Sequence, residues 1–600
     1  MTSRPTVLRS AVLAAMLALS ANAFAASPSW VERSNALAKP ILKEQAKFIP
    51  EMASRQGMEQ FDEQVFDLGQ DLYERNQASR RQQNASLQQA LAKESDPHVR
   101  QDIQIMINRI DGQIRMEDLQ HKLLVDFGDV PEVIFIGLEG LLDKQNPPER
   151  QARALTRLKR YVGSESGYQP LTERAQAMME KSLAKPGLTT PYGDEIEQQL
   201  STIDPYLKGI ESLFKASKLS GWEADFAKLT KQMHAYRDWL QTQLLPKARK
   251  EVRPPAEIYA EMLRETGVDM SPEQLIDRAS MEYQEVRDQM QMVANQIAAK
   301  RKLPSSHYMA VVRHLKQEQI EPTALLQTYW KRLKEIEGII QRENLLTLPK
   351  RDAQIRLATE AEAASVPAPQ MRPPRMIGNT GEYGEFLIPL TNPHAKSDAK
   401  MDDFTHESST WTLAAHEARP GHELQFAAMV ERGVSLPRAL FAMNSANVEG
   451  WGLYAEAMML PYMPPEGQLI SLQLRLHRVA RAFLDPMINL GKMSPEAAKH
   501  LLMEEVGLSE PMAQQEVDRY AFRKPGQATS YFYGYINMRA LRTQTELALG
   551  KRFNQQAFHD FVIAQGTLPP PLLKQAVLNE FVPAQLAAAG NPATQTASAQ

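Results

Sequence analysis

One short segment, TLAAHEARPGHE at positions 412–423, constrains this chain more than any other. It is similar to the H-E-x-x-H pattern, in which two histidines one helical turn apart bind zinc and a glutamate acts as base. Here His422 follows His416 by six residues, with Pro420 and Gly421 between them. On an unbroken helix this spacing gives about 9 Å of rise and about 240° of rotation, so the two rings could not reach one ion.

Proline changes this geometry. Pro420 has no backbone N–H, and its ring clashes with the carbonyl four residues earlier, which belongs to His416. Gly421 adds backbone freedom at the same point. We therefore predict that the helix breaks or widens between the two histidines, so that both imidazoles bind one metal ion. Glu417, next to the first histidine, is then the candidate general base.

A second segment, NVEGWGLYAE at positions 447–456, offers a third ligand. It places Glu449 and Glu456 on nearly the same face of a predicted helix. Catalytic zinc sites keep three protein ligands and one open position, and two histidines with a glutamate form a known set. We predict Glu449 as the third ligand. Glu456 lies too far along the helix to share the ion, and is better placed to accept the second N–H of a ligand histidine.

These two segments and KPGQATSY at positions 524–531 together resemble the DUF885 family of bacterial proteins. Its members look like distant relatives of the helical gluzincin metallopeptidases. The resemblance covers most of the chain and is densest from His416 to Arg542. It implies a mainly α-helical, two-lobed fold with a central cleft and at most a small edge β-sheet. It also implies one zinc ion per chain and the hydrolysis of peptide bonds.

The chain departs from the family pattern at two places. Members usually carry a second histidine where Glu423 stands, so Glu423 is a further candidate ligand or substrate contact. Members also tend to have Asp-Thr-Gly-x-His where this chain has DPMIN at 485–489, so a histidine that could handle protons is missing. An alternative function therefore stays open: a catalytically degenerate periplasmic peptide-binding or scaffold protein that retains a metal site.

The third segment offers groups for the reaction itself. Two imidazoles and a carboxylate on zinc lower the pKa of a bound water, and Glu417 can take its proton and pass it to the leaving amine. Charge that develops on the tetrahedral intermediate needs a donor opposite the metal. Tyr531 is the first candidate, with Tyr533 and Tyr535 as alternatives.

Further polar residues are candidates for substrate contact. Arg539 or Arg523 could bind a substrate carboxylate bidentately, which would favour exopeptidase or dipeptidase action. Gln527, in the third segment, is a candidate for the same surface. A helix over 472–484 carries His477 and three arginines, and we predict a solvated or ion-paired face there, with substrate contact as an alternative. These arginines are Arg475, Arg478 and Arg481.

Composition narrows the class of protein. The chain has no cysteine, which excludes disulfides, thiolate ligands and cysteine nucleophiles. Hydrophobic residues make up 43% and charged residues 24%, as in ordinary globular proteins. The net charge is −3, so no broad field steers nucleic acid or a membrane surface. We expect a peptide substrate, no nucleic-acid partner and no stable membrane anchor.

The N-terminus has the features of an export signal. Arg4 and Arg9 precede an apolar run over 11–19, and Ala23-Phe24-Ala25 supplies a small-x-small cleavage site. We predict a cleaved signal peptide over 1–25 and a periplasmic or secreted mature chain. No cysteine follows the site, so lipid anchoring is not expected.

Helical periodicity dominates the remainder. We predict helices over Phe226–Leu245, Pro272–Lys300 and Pro322–Leu345, and a helical region from Glu59 to Leu124. Within that region Phe61, Val65, Leu68 and Leu72 would share one face. Ser271 and Ser494 precede prolines and are typical of helix starts.

A proline-rich stretch over 363–376 marks the predicted boundary between two lobes. We assign 26–365 to a helical N-terminal lobe, 366–586 to a metal-binding lobe and 587–600 to a disordered tail. A β-prone run over 385–391 contains Pro389, which is tolerated only in an edge strand or at the end of a strand. An edge strand could hold substrate backbone by strand addition, and an ordinary buried strand or loop is the alternative.

Overall fold

The computed structural model describes residues 28–69, 71–390 and 401–588. The predicted signal peptide and nearly all of the predicted tail lie outside these ranges. Within them the chain is mainly α-helical, as predicted, with one small sheet. None of the helices in these ranges has both the length and the apolar character needed to cross a bilayer.

The α-helices of the described ranges are numbered here in chain order: α1 Trp30–Ala46, α2 Pro50–Arg55, α3 Leu72–Lys93, α4 Pro97–Leu123, α5 Val130–Leu142, α6 Pro148–Gln151, α7 Arg153–Tyr161, α8 Leu171–Leu183, α9 Gly193–Ser217, α10 Glu223–Trp239, α11 Ala256–Glu265, α12 Pro272–Arg301, α13 Tyr308–Lys316, α14 Pro322–Arg342, α15 Glu360–Ser365, α16 Ser409–Leu413, α17 His422–Arg432, α18 Ser445–Met459, α19 Pro465–Asn489, α20 Pro495–Leu501, α21 Glu510–Asp518, α22 Thr529–Leu549, α23 Gln555–Ala564, α24 Pro570–Ala576 and α25 Val582–Ala588. Short π-helical segments occur at Leu240–Leu244, Ala414–Ala418, Pro437–Phe441, Leu502–Val506, Arg519–Arg523 and Val577–Phe581.

The two predicted helix starts are confirmed. The Ser271 hydroxyl accepts a hydrogen bond from the backbone N–H of Gln274, whose side chain accepts from the Ser271 backbone, and Pro272 opens α12. Ser494 caps α20 in the same way, by accepting from Ala497 N–H. These side chains satisfy N–H groups that the first turn of a helix leaves without partners.

One predicted helical stretch is wrong. Residues 62–69 and 71 are not helical, and α3 begins only at Leu72, so the apolar residues before it do not share a helical face with it. Arginines of α7 explain the difference, because Arg157 donates to the Phe61 carbonyl at 2.7 Å and Arg160 to the Glu63 carbonyl at 2.8 Å. These donors satisfy backbone oxygens that a helix would otherwise bond internally.

The small sheet corrects the predicted edge strand. Three strands, β1 Gln354–Leu357, β2 Gln370–Arg372 and β3 Glu385–Ile388, lie in the order β1-β3-β2. The strand predicted at the edge, β3, is therefore central, parallel to β1 and antiparallel to β2. Pro389 follows the last strand residue and removes no hydrogen bond from the ladder. With both sides paired, β3 cannot add a substrate strand.

The largest apolar core joins residues from both sides of the predicted boundary at residue 365. Ile103 of α4 and Val286 of α12 belong to the same cluster as Leu474 of α19 and Phe532 of α22. A second core lies among α5, α8, α9 and α10, with Ile203 at its centre. The lobes and their boundary stay predictions.

Two helices of the first core approach each other unusually closely. Gly450 of α18 faces Gly534 of α22, and a Cβ on Gly534 would lie 1.9 Å from the Ala446 carbonyl oxygen. The absence of side chains at both positions therefore sets the distance between the two helices. This contact brings the helix that carries Glu449 against the helix that carries Tyr531.

We predict that Gly534→Ala lowers the free energy of unfolding by about 1–3 kcal/mol, because α18 and α22 must separate. Gly338→Ala is the matched control, since Gly338 lies in α14 with open space around its Cα. That change should be neutral or stabilise by about 0.5–1 kcal/mol. Urea unfolding of both variants measures the effect, and equal stabilities would contradict the packing argument.

Candidate metal centre

The helix breaks between the two histidines, as the proline predicted. The π-helical segment Ala414–Ala418 follows α16, and α17 begins at His422. Between them the Arg419–Pro420 peptide bond is cis. A Cβ on Gly421 would lie 1.8 Å from the His416 carbonyl oxygen, so this turn needs glycine. The break brings the two imidazole centroids within 4.7 Å of each other.

Glu449 completes a set of three donors. Its Oε2 lies 3.5 Å from His416 Nε2 and 3.4 Å from His422 Nε2. Ligands at about 2.0–2.2 Å around a tetrahedral zinc ion are about 3.3–3.5 Å apart, so these distances fit one shared ion. Both histidines are buried and Glu449 is largely so. The donor types and their spacing fit zinc.

Glu456 holds the first histidine in place. Its Oε1 lies 2.7 Å from His416 Nδ1, and its Oε2 accepts a hydrogen bond of 2.7 Å from the Thr412 hydroxyl. A carboxylate at Nδ1 keeps the proton on that nitrogen and leaves Nε2 free to bind a metal. Gly452 lets the ring lie against α18, because a Cβ there would be 2.6 Å from the imidazole Cε1.

Glu417 lies beside these donors, slightly farther from the position that a shared ion would take. Its Oε1 is 4.0 Å from His416 Nε2, and donor atoms of Glu417 and both histidines lie within 4.8 Å of one another. Burial raises the pKa of Glu417, which brings this carboxyl closer to the range of a general base. Burial also opposes the charge on Glu449, but the two histidines lower the pKa of that carboxyl well below its usual value.

Tyr531 faces the first histidine from α22. Its ring is nearly parallel to that of His416, with centroids 6.4 Å apart, and the Arg481 guanidinium lies 4.4 Å from the Tyr531 ring centroid. Burial raises the pKa of Tyr531 to about 12. The hydroxyl forms no hydrogen bond with any residue that the structure describes. It is therefore a protonated donor available to a ligand.

Glu423, the departure from the family pattern, is engaged elsewhere. Its Oε2 accepts from Arg419 Nε at 2.7 Å, and Arg419 also donates to Glu337 of α14 at 2.7 Å. This buried pair ties the helix break to α14. The four-residue spacing does not reflect a shared helix, because Arg419 has an extended backbone in the break and only Glu423 belongs to α17.

Trp451 of α18 has a polar role at the helix break. Its indole Nε1 donates to the Pro420 carbonyl oxygen at 2.9 Å. The side chain is buried, so this bond satisfies an acceptor that the helix break exposes. Trp451 thus holds the break against α18.

The other predicted contact residues lie around this centre without touching its three donors in the described chain. Gln527 accepts from Arg519 at 2.9 Å and donates to the Ser445 hydroxyl at 2.8 Å. Tyr535 is buried. Arg539 is exposed and lies 5.5 Å from the Tyr535 ring centroid.

The basic face of α19, predicted to be solvated or ion-paired, is buried and not solvated. Glu516 of α21 accepts from Arg481 at 2.6 Å and from the Tyr520 hydroxyl at 2.8 Å, and its Oε2 is 3.1 Å from His477 Nε2. The predicted ion pairing is therefore present at Arg481. This network fixes the guanidinium that lies against Tyr531.

The DPMIN segment also has a structural role. Both Asp485 oxygens accept from the Gly526 N–H at 2.9 Å, and the Tyr259 hydroxyl donates to Asp485 at 3.0 Å. Asn489 donates to the Tyr520 carbonyl at 3.0 Å. These bonds hold the turn that precedes Tyr531. Burial raises the pKa of Asp485 to about 7.

We predict that Asp485 makes stability depend on pH. Its folded pKa of about 7 exceeds the ordinary 3.8, so its contribution is present below about pH 4 and is lost as the pH rises through 7. Asp485→Asn should therefore lose less stability between pH 5 and pH 8 than the wild type. Urea unfolding at both pH values measures this.

Asp238→Asn is the control, because Asp238 is an exposed aspartate, and it should keep the wild-type pH dependence. A wild-type profile in Asp485→Asn would contradict the role given to Asp485.

Comparison with known proteins places this chain in a family. The model of the family described as "Bacterial protein of unknown function (DUF885)" matches residues 50–577, a range that includes His416, His422 and Glu449. No curated protein matches the chain.

Solved structures share the fold. A "putative lipoprotein" from Colwellia psychrerythraea superposes with a TM-score of 0.71 at 18% identity, covering 93% of this chain and 100% of the other. A "putative lipoprotein of unknown function" from Shewanella oneidensis gives 0.67 at 19% identity, covering 92% and 100%. A chain described as "putative Oligoendopeptidase F" gives a TM-score of only 0.26 at 12% identity, covering 85% of this chain and 96% of the other. This score is too low to support an inference.

Proposed function

The chain belongs to the DUF885 family, and we propose that it is an exported zinc-dependent peptidase. The observation that carries the proposal is the convergence of His416 Nε2 and His422 Nε2 on one oxygen of Glu449, at 3.5 and 3.4 Å. Two imidazoles, one carboxylate and a neighbouring acid form a donor set typical of hydrolytic zinc sites.

His416, His422 and Glu449 would hold the ion, and Glu456 fixes the orientation of His416. When bound there, zinc polarises a substrate carbonyl and lowers the pKa of water. The Glu417 carboxylate accepts the proton of the attacking water and delivers it to the leaving amine. Its burial near both histidines suits this task, because desolvation raises the pKa of Glu417.

Tyr531 donates a hydrogen bond to the oxyanion that forms from the substrate carbonyl. Its hydroxyl stays protonated at neutral pH because burial raises its pKa to about 12. A donor held rigidly in a buried site stabilises the charge that develops on the carbonyl oxygen of the substrate. Arg481 holds the Tyr531 ring from behind, and the Arg481–Glu516 pair holds Arg481.

We place the mature chain outside the cytoplasm. The leader features over 1–25 support export. Structural neighbours are described as lipoproteins, which supports an extracytoplasmic setting. This sequence has no cysteine to carry a lipid, so the proposal is a periplasmic or secreted protein.

Substitution of Glu417 tests the activity. Glu417→Gln should keep the bound metal while turnover of a mixture of short peptides, followed by mass spectrometry, falls by roughly 100-fold or more. Glu504→Gln, at an exposed glutamate, is the control and should keep the wild-type rate. Peptide binding without turnover in the metal-loaded wild type would favour a degenerate binding protein instead.

Substitution of Glu456 tests the support of the metal ligand. We predict that Glu456→Gln weakens zinc affinity by roughly 10–100-fold, because His416 Nδ1 loses its charged partner. Thr412→Val removes only the hydrogen bond to the other oxygen and should weaken affinity less. Competition with a fluorescent chelator measures both, and an unchanged affinity in Glu456→Gln would contradict the role of this pair.

A further inference from the structure

A cavity of about 370 Å³ lies between the start of α9 and the segment that precedes α22. On one side it is lined by cationic side chains from the π-helical segment Arg519–Arg523 and the next residue, Lys524. On the other side it is lined by the first turns of α5 and α9 and the end of α15. Its volume is in the range of small-ligand sites.

Two of the three cations of this cavity lack carboxylate partners in the described part of the chain. Arg523 donates to the Ser365 carbonyl at 2.6 Å, and neither Arg523 nor Lys524 forms an ion pair with any described residue. Arg519 is the third cation, and its Nε lies 3.7 Å from Glu516 Oε1. Desolvation and then Arg519 lower the pKa of both Arg523 and Lys524. Placing like charges together without partners is costly. The surface formed by Arg519, Arg523 and Lys524, called the cationic wall below, therefore suits an anionic ligand.

The acids across the cavity have other partners. Asp129 caps α5 by accepting from Glu132 N–H at 2.9 Å, and Glu132 accepts from the Ser365 hydroxyl at 2.7 Å. Glu195 accepts from the Tyr192 N–H at 3.3 Å at the start of α9. These carboxylates bind helix ends and a hydroxyl, and they form no ion pair with the cationic wall in the described part of the chain.

Hydrogen bonds connect the cationic wall to the helix that carries Glu449. Arg519, which lines the cavity, donates to Gln527 at 2.9 Å, and Gln527 donates to the Ser445 hydroxyl at 2.8 Å. Ser445 is the first residue of α18 and precedes Glu449 by about one helical turn. Lys524 also begins the segment that ends at Tyr531. A ligand anion on this wall would therefore lie beside a peptide bound at Glu449.

We infer that this cavity binds the C-terminal carboxylate of the peptide substrate, with Lys524 and Arg523 as the donors. The inference rests on the proposed peptidase function, and it makes the enzyme selective for peptides with a free C-terminus. Lys524 is the principal donor because it lines the cavity without an ion pair, whereas Arg523 also donates to the Ser365 carbonyl. The acids opposite would disfavour an acidic C-terminal side chain.

The test compares acetyl-trialanine as free acid and as amide, by calorimetric titration of the metal-free protein. The free acid should bind roughly tenfold or more tightly than the amide, since charge-assisted hydrogen bonds to the carboxylate are lost in the amide. Lys524→Gln should abolish most of this preference, and Arg523→Gln should reduce it. Lys574 lines a separate cavity, so Lys574→Gln is the control and should retain the preference for the free acid.

Equal affinity for acid and amide, or no detectable binding of either at millimolar concentration, would overturn the inference. So would a preference that survives Lys524→Gln. Different results would contradict the peptidase proposal and the carboxylate subsite. A preference for the acid with no hydrolysis by the zinc-loaded protein contradicts the peptidase and leaves the carboxylate subsite standing. Hydrolysis of acid and amide at equal rates contradicts the subsite alone.

Discussion

The hydrogen bond between His416 Nδ1 and Glu456 is the interaction on which the candidate site depends. It crosses from the broken helix to α18 and fixes the ring that faces Glu449. Without this hydrogen bond the turn would be free to move, because Pro420 removes a backbone hydrogen-bond donor. Trp451 adds a second tie between the same two helices by donating to the Pro420 carbonyl. The break is thus held at both its histidine and its proline.

Buried pairs of arginine and glutamate surround the site. Arg419 joins Glu423 to Glu337, and Arg481 joins α19 to Glu516. Breaking a buried pair leaves an uncompensated charge, so each pair resists local movement. The site's own carboxylates differ, since Glu449 is held ionised by two imidazoles while burial raises the pKa of Glu417. Two acids in one pocket therefore have environments suited to different tasks.

The sequence predicted the local features of this protein well. The helix break followed from Pro420, because the effect of proline on a helix is local. The helix starts at Ser271 and Ser494 followed from capping preferences of the same kind. The spacing of Glu449 and Glu456 on one helical face also placed both acids correctly near His416.

Features that depend on distant residues could not be predicted. Residues 62–69 are not helical because arginines of α7 donate to the carbonyls of Phe61 and Glu63. The strand β3 is central because two segments that lack a strong β pattern pair with it. The cationic wall at Lys524 became a candidate subsite only when its position opposite α5 and α9 was known. Each of these depends on tertiary contacts between segments far apart in the chain.

The central claim is that His416, His422 and Glu449 bind one zinc ion. Elemental analysis of the chain, purified without chelators or a histidine-rich tag, tests it most directly. We predict close to one zinc per chain, lost in His422→Ala, whose fold is checked by circular dichroism. No bound metal after zinc is added back and the protein is dialysed, or full metal content in His422→Ala, would contradict the account.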